Sequence, residues 1–334
     1  MDNRPRPRPI TPAANSCSDC DAVDRRSFIR TVGATALAAG ISPLLQSRLF
    51  AAPTPQSGAE SVVGQLYQSL SDTQKKTIAF PIEHELRKKI NANWQITKPR
   101  IHDDFYTDAQ RALIEQIVQK VTTPEGFEKL KQQMEDDSGG IGDYSIALFG
   151  TPGSGAFEWE LTGRHLTLRA DGNTVDKAAF GGPIVYGHSA EDPKKNLFHN
   201  QTIKVNEVFK ALDAKQAEQA LIAKAPPEAA VQLQGASGKF PGLAVGELSS
   251  DQRTLFETTL KTLLATYRKE DVDEVFEVIK GGGGLEKLHL AYYRQEDIGN
   301  DKEWDIWRVE GPSLVWHFRG APHVHAYINI GMVG

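Results

Sequence analysis

The sequence predicts an α+β protein in which helices flank a mostly antiparallel sheet. Helix-start signals fill the chain up to about residue 136. Short runs of alternating apolar and polar residues, separated by turn signals, follow from residue 144 and return at residue 288. A second helical segment lies between these two sets of strands. Because hairpin-length connections join successive strands within each set, we expect the strands to pair in antiparallel fashion.

The helices are predicted from their N-terminal caps. A capping box has a Ser, Thr or Asp followed three residues later by Gln, and the two side chains bond to free backbone amides. This spacing occurs at Ser71, Thr107, Asp213 and Ser249, while Thr123 precedes a proline suited to the first helical position. These residues therefore mark where helices begin, and they carry no chemistry of their own.

The strands are predicted from residue alternation between turn signals. A hairpin turn is expected at 162–164, and Asp171 with Gly172 signals a further tight turn. A helical block is expected after that turn, with a connection containing Pro and Gly over 225–240. The predicted strands, in chain order, are 144–149, 157–161, 165–169, 288–293, 304–310, 313–319 and 324–330.

The composition is that of a globular protein without a basic surface. Hydrophobic residues make up 40% of the 334 residues, which is ordinary for a chain with a packed core. The 43 acidic residues outnumber the 38 basic ones. Since no stripe of Lys and Arg is present in the body of the chain, we expect no nucleic acid among its partners.

The first 52 residues have the layout of a removable export signal. Arg25 and Arg26 precede Phe28, an uncharged run rich in Ala and Gly follows over 31–45, and small residues end the segment at Ala52. The paired arginines are typical of a twin-arginine signal. We therefore expect the twin-arginine export machinery as a partner and a periplasmic or secreted location.

The alternative for this segment is an uncleaved membrane anchor. Its apolar run is shorter than the ~20 strongly apolar residues that a membrane span needs, so no stable anchor is expected. Beyond the signal, residues 53–69 are predicted to be a linker and helix start, and residues 70–334 a single α+β domain.

Cysteine usage limits the kinds of metal site. The chain has two cysteines, Cys17 and Cys20, and both fall in the expected signal. The exported part would then have no disulfide, and any metal ligand in it would be a histidine or a carboxylate. A chain that folds before export can bind its cofactor inside the cell first. The histidines, as possible metal ligands, are therefore the residues to consider.

Three histidines within nine residues near the C-terminus are the strongest candidates for chemistry. His323 and His325 would share one face of a strand. If 320–322 is a three-residue hairpin loop, Arg319 lies opposite His323 and His317 lies opposite His325, with opposed Cβ atoms ~5 Å apart. Three imidazoles with an open coordination position form a catalytic zinc site, and imidazole also suits copper and iron.

A second group of candidates lies in the first predicted hairpin. His165 could complete the ligand set from another strand, and Glu158 or Glu160 could serve as a ligand or general base. His188 follows a Gly-Gly-Pro turn and is expected in the same cleft. The alternative for the glutamates is a solvated strand face, and for the C-terminal histidines it is a hydrogen-bonded aromatic cluster.

The chain resembles the family known as domain of unknown function 3500 from about residue 70 to residue 330. Its matching segments are 70–74, 149–153, 159–166, 288–292, 308–312 and 323–325. Arg164 stands where the family often has a first His, and Tyr186, Gly187 and His188 replace a more usual turn. The resemblance carries over no established reaction. It implies that His165, His323 and His325 belong to motif positions and are the best site residues.

Two functional hypotheses follow. The first is an exported metalloprotein, hydrolytic or oxidative, with His165, His323 and His325 as ligands, His317 as a possible fourth, and zinc, copper or iron as the metal. Glu158 or Glu160 would be the base. The second is a non-enzymatic exported protein with an aromatic, His-lined cleft, whose ligand-binding residues are Trp159, Arg164, His188, Arg319 and Tyr327.

Overall fold

A computed structural model describes residues 52–175, 177–190, 192–295, 297, 301 and 303–333. Apart from Ala52, the expected export signal lies outside these residues. The described part contains eight α-helices: α1 Gly58–Ser69, α2 Asp72–Ile78, α3 Asp108–Val121, α4 Pro124–Ser138, α5 His199–Lys210, α6 Ala214–Ala220, α7 Ser250–Leu263 and α8 Lys269–Gly281.

Eleven strands of the described residues form one sheet. They are β1 Ala79–Phe80, β2 Ser145–Gly150, β3 Phe157–Gly163, β4 Leu166–Ala170, β5 Ile184–His188, β6 Leu221–Ile222, β7 Leu243–Ala244, β8 His289–Tyr293, β9 Ile306–Gly311, β10 Leu314–Arg319 and β11 Val324–Ile330. The strand order is β1-β2-β3-β4-β5-β11-β10-β9-β8-β6, with β7 also paired to β8. Only the β1–β2 and β6–β8 pairs are parallel. The predicted α+β class with a mostly antiparallel sheet is therefore confirmed.

The predicted helix starts are confirmed at the level of individual hydrogen bonds. Ser71, Thr107, Asp213 and Ser249 each accept a bond from the backbone amide three residues on, and the Gln at that position bonds back to the cap. Thr123 caps α4, and Pro124 occupies its first turn. Local side-chain chemistry thus sets where these helices begin.

Two predictions within the first set of strands need correction. The helical block expected after Gly172 contains β5, which pairs with both β4 and β11 and joins the two halves of the sheet. The hairpin turn between β3 and β4 is formed by Arg164 and His165, because Gly163 pairs directly with Leu166. That shift places His165 in the turn itself.

One face of the sheet is covered by the helices and is apolar. Alternate residues of every long strand belong to the main core, together with the inward faces of the helices. The largest of these side chains are fully buried aromatics, among them Trp159, Trp307 and Trp316. This helix-covered face accounts for most of the hydrophobic core.

The opposite face is covered by two largely irregular segments, residues 81–98 and 223–242, which we call the straps. Ile96 and Thr97 of the first strap bond to residues of β3 and β2. Ala230 and Val231 of the second accept bonds from β9 and β11 side chains. Several strand residues beneath the straps are polar and nevertheless buried: Glu158, Glu160, Thr162, Thr167, Arg169, Arg308, Glu310 and His317. No helix among the described residues has the length and apolar content to cross a membrane.

Candidate metal centre

Three histidine rings meet at one end of the sheet. His165 lies in the β3–β4 turn, while His323 and His325 lie at the start of β11. The Nε2 atom of His325 is 3.1 Å from that of His165 and 3.0 Å from that of His323. One ligand atom from each ring lies within 4.8 Å of the others. Residues 160 positions apart in sequence are therefore brought to one point.

The backbone of His165 is fixed by contacts from both layers. His165, the second central residue of the turn, has a φ of 56°, and a type II turn requires a positive φ at that position. Its N–H donates to the Ala92 carbonyl of the first strap at 2.6 Å. On the helix side, the Tyr144 hydroxyl and the Gln133 amide donate to the Arg164 carbonyl. These hydrogen bonds from both layers fix the position of the turn that carries the imidazole.

Gly187 of β5 makes room for the imidazole of His165. A Cβ atom at this position would lie 3.2 Å from the His165 Cβ and 2.4 Å from the Val324 carbonyl oxygen. Only glycine allows β5 to pair with β11 while the His165 ring lies against it. The segment that departs from the usual family turn is therefore part of a strand here, and it shapes the site.

The register of the β10–β11 hairpin differs from the conditional prediction. Arg319 pairs with His325, and His317 pairs with Tyr327, so the connection is longer than three residues. His317 points to the strap side, 1% exposed, with neither ring nitrogen hydrogen-bonded among the described residues. It lies outside the group formed by the other three histidines.

The Nδ1 atom of His165 is bound by Asp137 at the end of α4. Asp137 Oδ2 lies 2.9 Å from this nitrogen and also accepts from the Gln133 amide at 2.8 Å. The other carboxylate oxygen accepts from the backbone N–H and the hydroxyl of Ser189. Burial alone would raise the pKa of Asp137, but the bonds from His165, Ser189 and Gln133 hold it well below its usual value. Asp137 is therefore an anion.

A second carboxylate binds His325 from the opposite layer. Glu228 of the second strap places Oε2 2.8 Å from His325 Nδ1, and its Oε1 is 2.9 Å from Arg319 Nη1. Burial opposes ionisation of Glu228, yet the bond to His325 and the charge of Arg319 leave its pKa lowered. Arg319 Nη2 lies 2.9 Å from the same Nδ1. Because a carboxylate can only accept, the Nδ1–H of His325 donates to Glu228, and the donor-only guanidinium then makes no hydrogen bond to the same nitrogen.

These bonds fix which nitrogens face the centre. A carboxylate can only accept, so His165 and His325 carry their protons on Nδ1 and direct the Nε2 lone pairs at each other. Burial lowers the pKa of His325, and it lowers that of His323 to about 4, so both rings are neutral at pH 7. The Nε2 lone pairs of His165 and His325, 3.1 Å apart, repel unless a cation or a proton lies between them.

The arrangement fits a metal ion. Two nitrogens bound to one tetrahedral zinc ion are about 3.3 Å apart, because each Zn–N bond is 2.0–2.1 Å. The separations of His325 Nε2 from the Nε2 atoms of His165 and His323 are close to that value. Carboxylates that accept from the far nitrogen of a ligating histidine are the usual outer partners in such sites. Three imidazoles leave a coordination position open, and His323 and His325 are only partly buried.

The glutamates expected to act as base lie elsewhere under the straps. Glu158 and Glu160 are fully buried, so their side chains do not form a solvated face. Arg169 pairs with both, at 3.2 Å from Glu160, and Arg87 lies 3.1 Å from Glu158. Burial raises the pKa of both glutamates despite these arginines. Within the described residues, no hydrogen bond joins either glutamate to the three histidines.

The expected ligand-binding residues are dispersed. Trp159 lies in the core on the helix-covered face, so the sheet separates it from the histidines. Arg164 is exposed beside His165 and donates to the Ser189 hydroxyl. His188 is buried, bonds to Asp136 through Nε2 and accepts the Leu197 N–H through Nδ1. Tyr327 packs under the straps, with its ring centroid 6.3 Å from that of His325.

Sequence reasoning missed the two carboxylates. Asp137 is one of two consecutive aspartates at a helix end, and Glu228 lies in an irregular connection. Neither occurs at a motif spacing from a histidine, since 28 and 97 residues separate them from their partners. Only the tertiary fold brings them to the site.

Comparison with known protein families finds a match, which covers most of the chain. The model of the family described as protein of unknown function DUF3500 matches residues 53–328. The chain therefore belongs to that family, as its motifs indicated. No curated protein and no solved structure matches it.

Proposed function

We propose that this DUF3500 family member binds one divalent metal ion through the Nε2 atoms of His165, His323 and His325, and that the open coordination position is where it acts on a substrate. The observation that carries the proposal is the convergence of these three nitrogens while Asp137 and Glu228 hold the far sides of two rings. The carboxylates fix the tautomers of His165 and His325, so both rings present Nε2 to a metal ion without rearrangement.

The three nitrogen ligands limit which metal ions and which reactions suit the site. Three imidazole nitrogens suit zinc, copper or iron better than calcium or magnesium, which prefer oxygen ligands. A metal ion bound here would supply Lewis acidity for hydrolysis or, as copper or iron, electron transfer for oxidation. The chain's own contribution is to fix the three rings and to leave one side of the centre open through the partly exposed His323 and His325.

Metal analysis tests the proposal. Mass spectrometry of purified protein is expected to find roughly one zinc, copper or iron ion per chain, and the His323→Ala/His325→Ala double variant is expected to have lost it. His102→Ala is the matched control, because His102 is exposed and pairs with Asp103 and Asp143 away from the cluster. Metal retained by the double variant, or absent from all samples, would contradict the proposal.

We also propose that the protein works outside the cytoplasm. This rests on Arg25, Arg26 and the apolar run that follows them. Cell fractionation of the full chain is expected to find a shortened form outside the cytoplasm, and Arg25→Lys/Arg26→Lys is expected to retain the long form inside. Equal export of both chains would refute this assignment.

A further inference from the structure

Arg319 is held at the edge of the three converging nitrogens. It ends β10 and pairs with His325 across the ladder, so both side chains project toward the straps. Its Nη2 atom is 3.4 Å from His323 Nε2, and its Nη1 is fixed by Glu228 at 2.9 Å. The guanidinium is thus placed beside the metal centre and anchored there, although 15% of its side chain remains exposed.

The charges around the centre do not balance once an ion is bound. Asp137 and Glu228 contribute two negative charges, and Arg319 with a divalent ion contributes three positive ones, which leaves +1. Both carboxylates are already used, Asp137 by His165, Ser189 and Gln133, and Glu228 by His325 and Arg319. A guanidinium and a metal ion this close repel each other unless an anion lies between them.

We infer that the substrate carries a small oxyanion group, which the metal ion and Arg319 bind together. This inference rests on the proposed metal site. A planar guanidinium binds carboxylate and phosphate oxygens through directed N–H bonds, and a metal ion binds the same oxygens electrostatically. One arginine and one open coordination position offer two contacts, which the two oxygens of a carboxylate fill. We therefore assign a carboxylate as the preferred group and phosphate as the weaker competitor.

The rival explanation is that Arg319 itself replaces a metal ion. Its Nη2 would then donate to His323 Nε2 and neutralise the facing lone pairs without any bound ion. In that case the protein takes up no metal, and Arg319→Met opens the cluster to metal rather than leaving its metal content unchanged. The two accounts therefore give opposite outcomes for the same variant.

The test uses cobalt-loaded full-length protein, because Co(II) bound to imidazole absorbs visible light and reports on its ligands. Acetate and phosphate are titrated separately at constant ionic strength, with sodium perchlorate as the salt control. Acetate is expected to change the spectrum at lower concentration than phosphate. Arg319→Met is expected to weaken acetate binding at least tenfold at unchanged cobalt content, Arg319→Lys to weaken it less, and Arg253→Met to leave it unchanged.

Arg253 is a suitable control since it lies on α7 and its replacement removes the same charge. Equal acetate affinity in wild type and Arg319→Met, or a spectrum that acetate does not alter, would overturn the anion site while the metal proposal stands. A preference for phosphate would overturn the choice of carboxylate. Failure of the wild type to bind cobalt would overturn the metal proposal, and the anion site with it. Thermal unfolding by circular dichroism verifies that each variant is folded.

Discussion

The two faces of the sheet are both largely buried but differ in what they bury. The helix-covered face is filled by apolar and aromatic side chains such as Trp159, Trp307 and Trp316. The strap-covered face holds charged groups such as Glu158 and Arg169, and at one end the histidine cluster. Burying apolar surface stabilises the fold, whereas burying charge is costly unless each charge is paired. The bulk of the apolar core and most of the buried charged groups of the strands therefore lie on opposite faces of one sheet.

The largest expected effect comes from comparing one residue of each region. Trp316→Ala removes a fully buried ring from the core and should lower the free energy of unfolding by about 3–5 kcal/mol. His323→Ala should change that of the metal-free protein by less than about 1 kcal/mol, because His323 is partly exposed, yet it should abolish metal binding. Urea unfolding and metal analysis measure the two quantities. Similar losses of unfolding free energy in both variants would contradict the distinction between the core and the histidine cluster.

A smaller effect is expected when an outer carboxylate is removed. Asp137→Asn keeps the shape of the side chain but loses the charge that holds His165, so metal affinity should fall about 10–100-fold. Competition with a chelator measures the affinity. Asp136→Asn is the matched control, because Asp136 bonds to His188 rather than to a proposed ligand. Equal affinity losses in the two variants would show that Asp137 has no specific role.

Much of the fold that separates the two faces of the sheet can be predicted from the sequence. Capping boxes are local, so Ser71 and Thr107 located helix starts from four residues each. Alternation located most strands, and the histidine spacing identified His323 and His325. Alternation also predicted water over Glu158 and Glu160, because a sequence pattern does not show that an irregular segment covers a sheet.

The features that sequence reasoning missed are long-range ones. β5 begins with three residues that favour strands, Ile184 to Tyr186, but the run is short and Gly187 interrupts it, so its pattern is a weak signal in the sequence. Pairing with β4 and β11 on both sides forms it. Glu228 likewise reaches His325 only because the second strap crosses the sheet. Such contacts depend on the whole fold rather than on spacing.

The last expected effect concerns pH and compares three buried acids of the core with the two carboxylates of the histidine cluster. On the helix side, burial raises the pKa of Asp171 and Asp271 to about 7 and that of Glu274 to about 8. These groups keep protons in the folded state that the unfolded chain releases, so stability falls as pH rises from about 4 to 8. Asp137 and Glu228 have lowered pKa values, so their contribution is lost only as the pH falls below their usual range.

Urea unfolding of the metal-free protein between pH 5 and pH 8 measures this dependence. The free energy of unfolding is expected to fall over that range, and to fall less in Asp171→Asn/Glu274→Gln, which cannot titrate at these positions. A rise in stability with pH, or an identical slope in the double variant, would contradict the assignment of these buried acids.

The most direct test of the central claim is anomalous diffraction from crystals of the metal-loaded protein, recorded at the absorption edge of the metal that analysis identifies. The account predicts one strong peak about 2.0–2.1 Å from the Nε2 atoms of His165, His323 and His325. A peak at other residues would contradict it. So would the three rings meeting with no peak between them, linked instead by a shared proton or by Arg319.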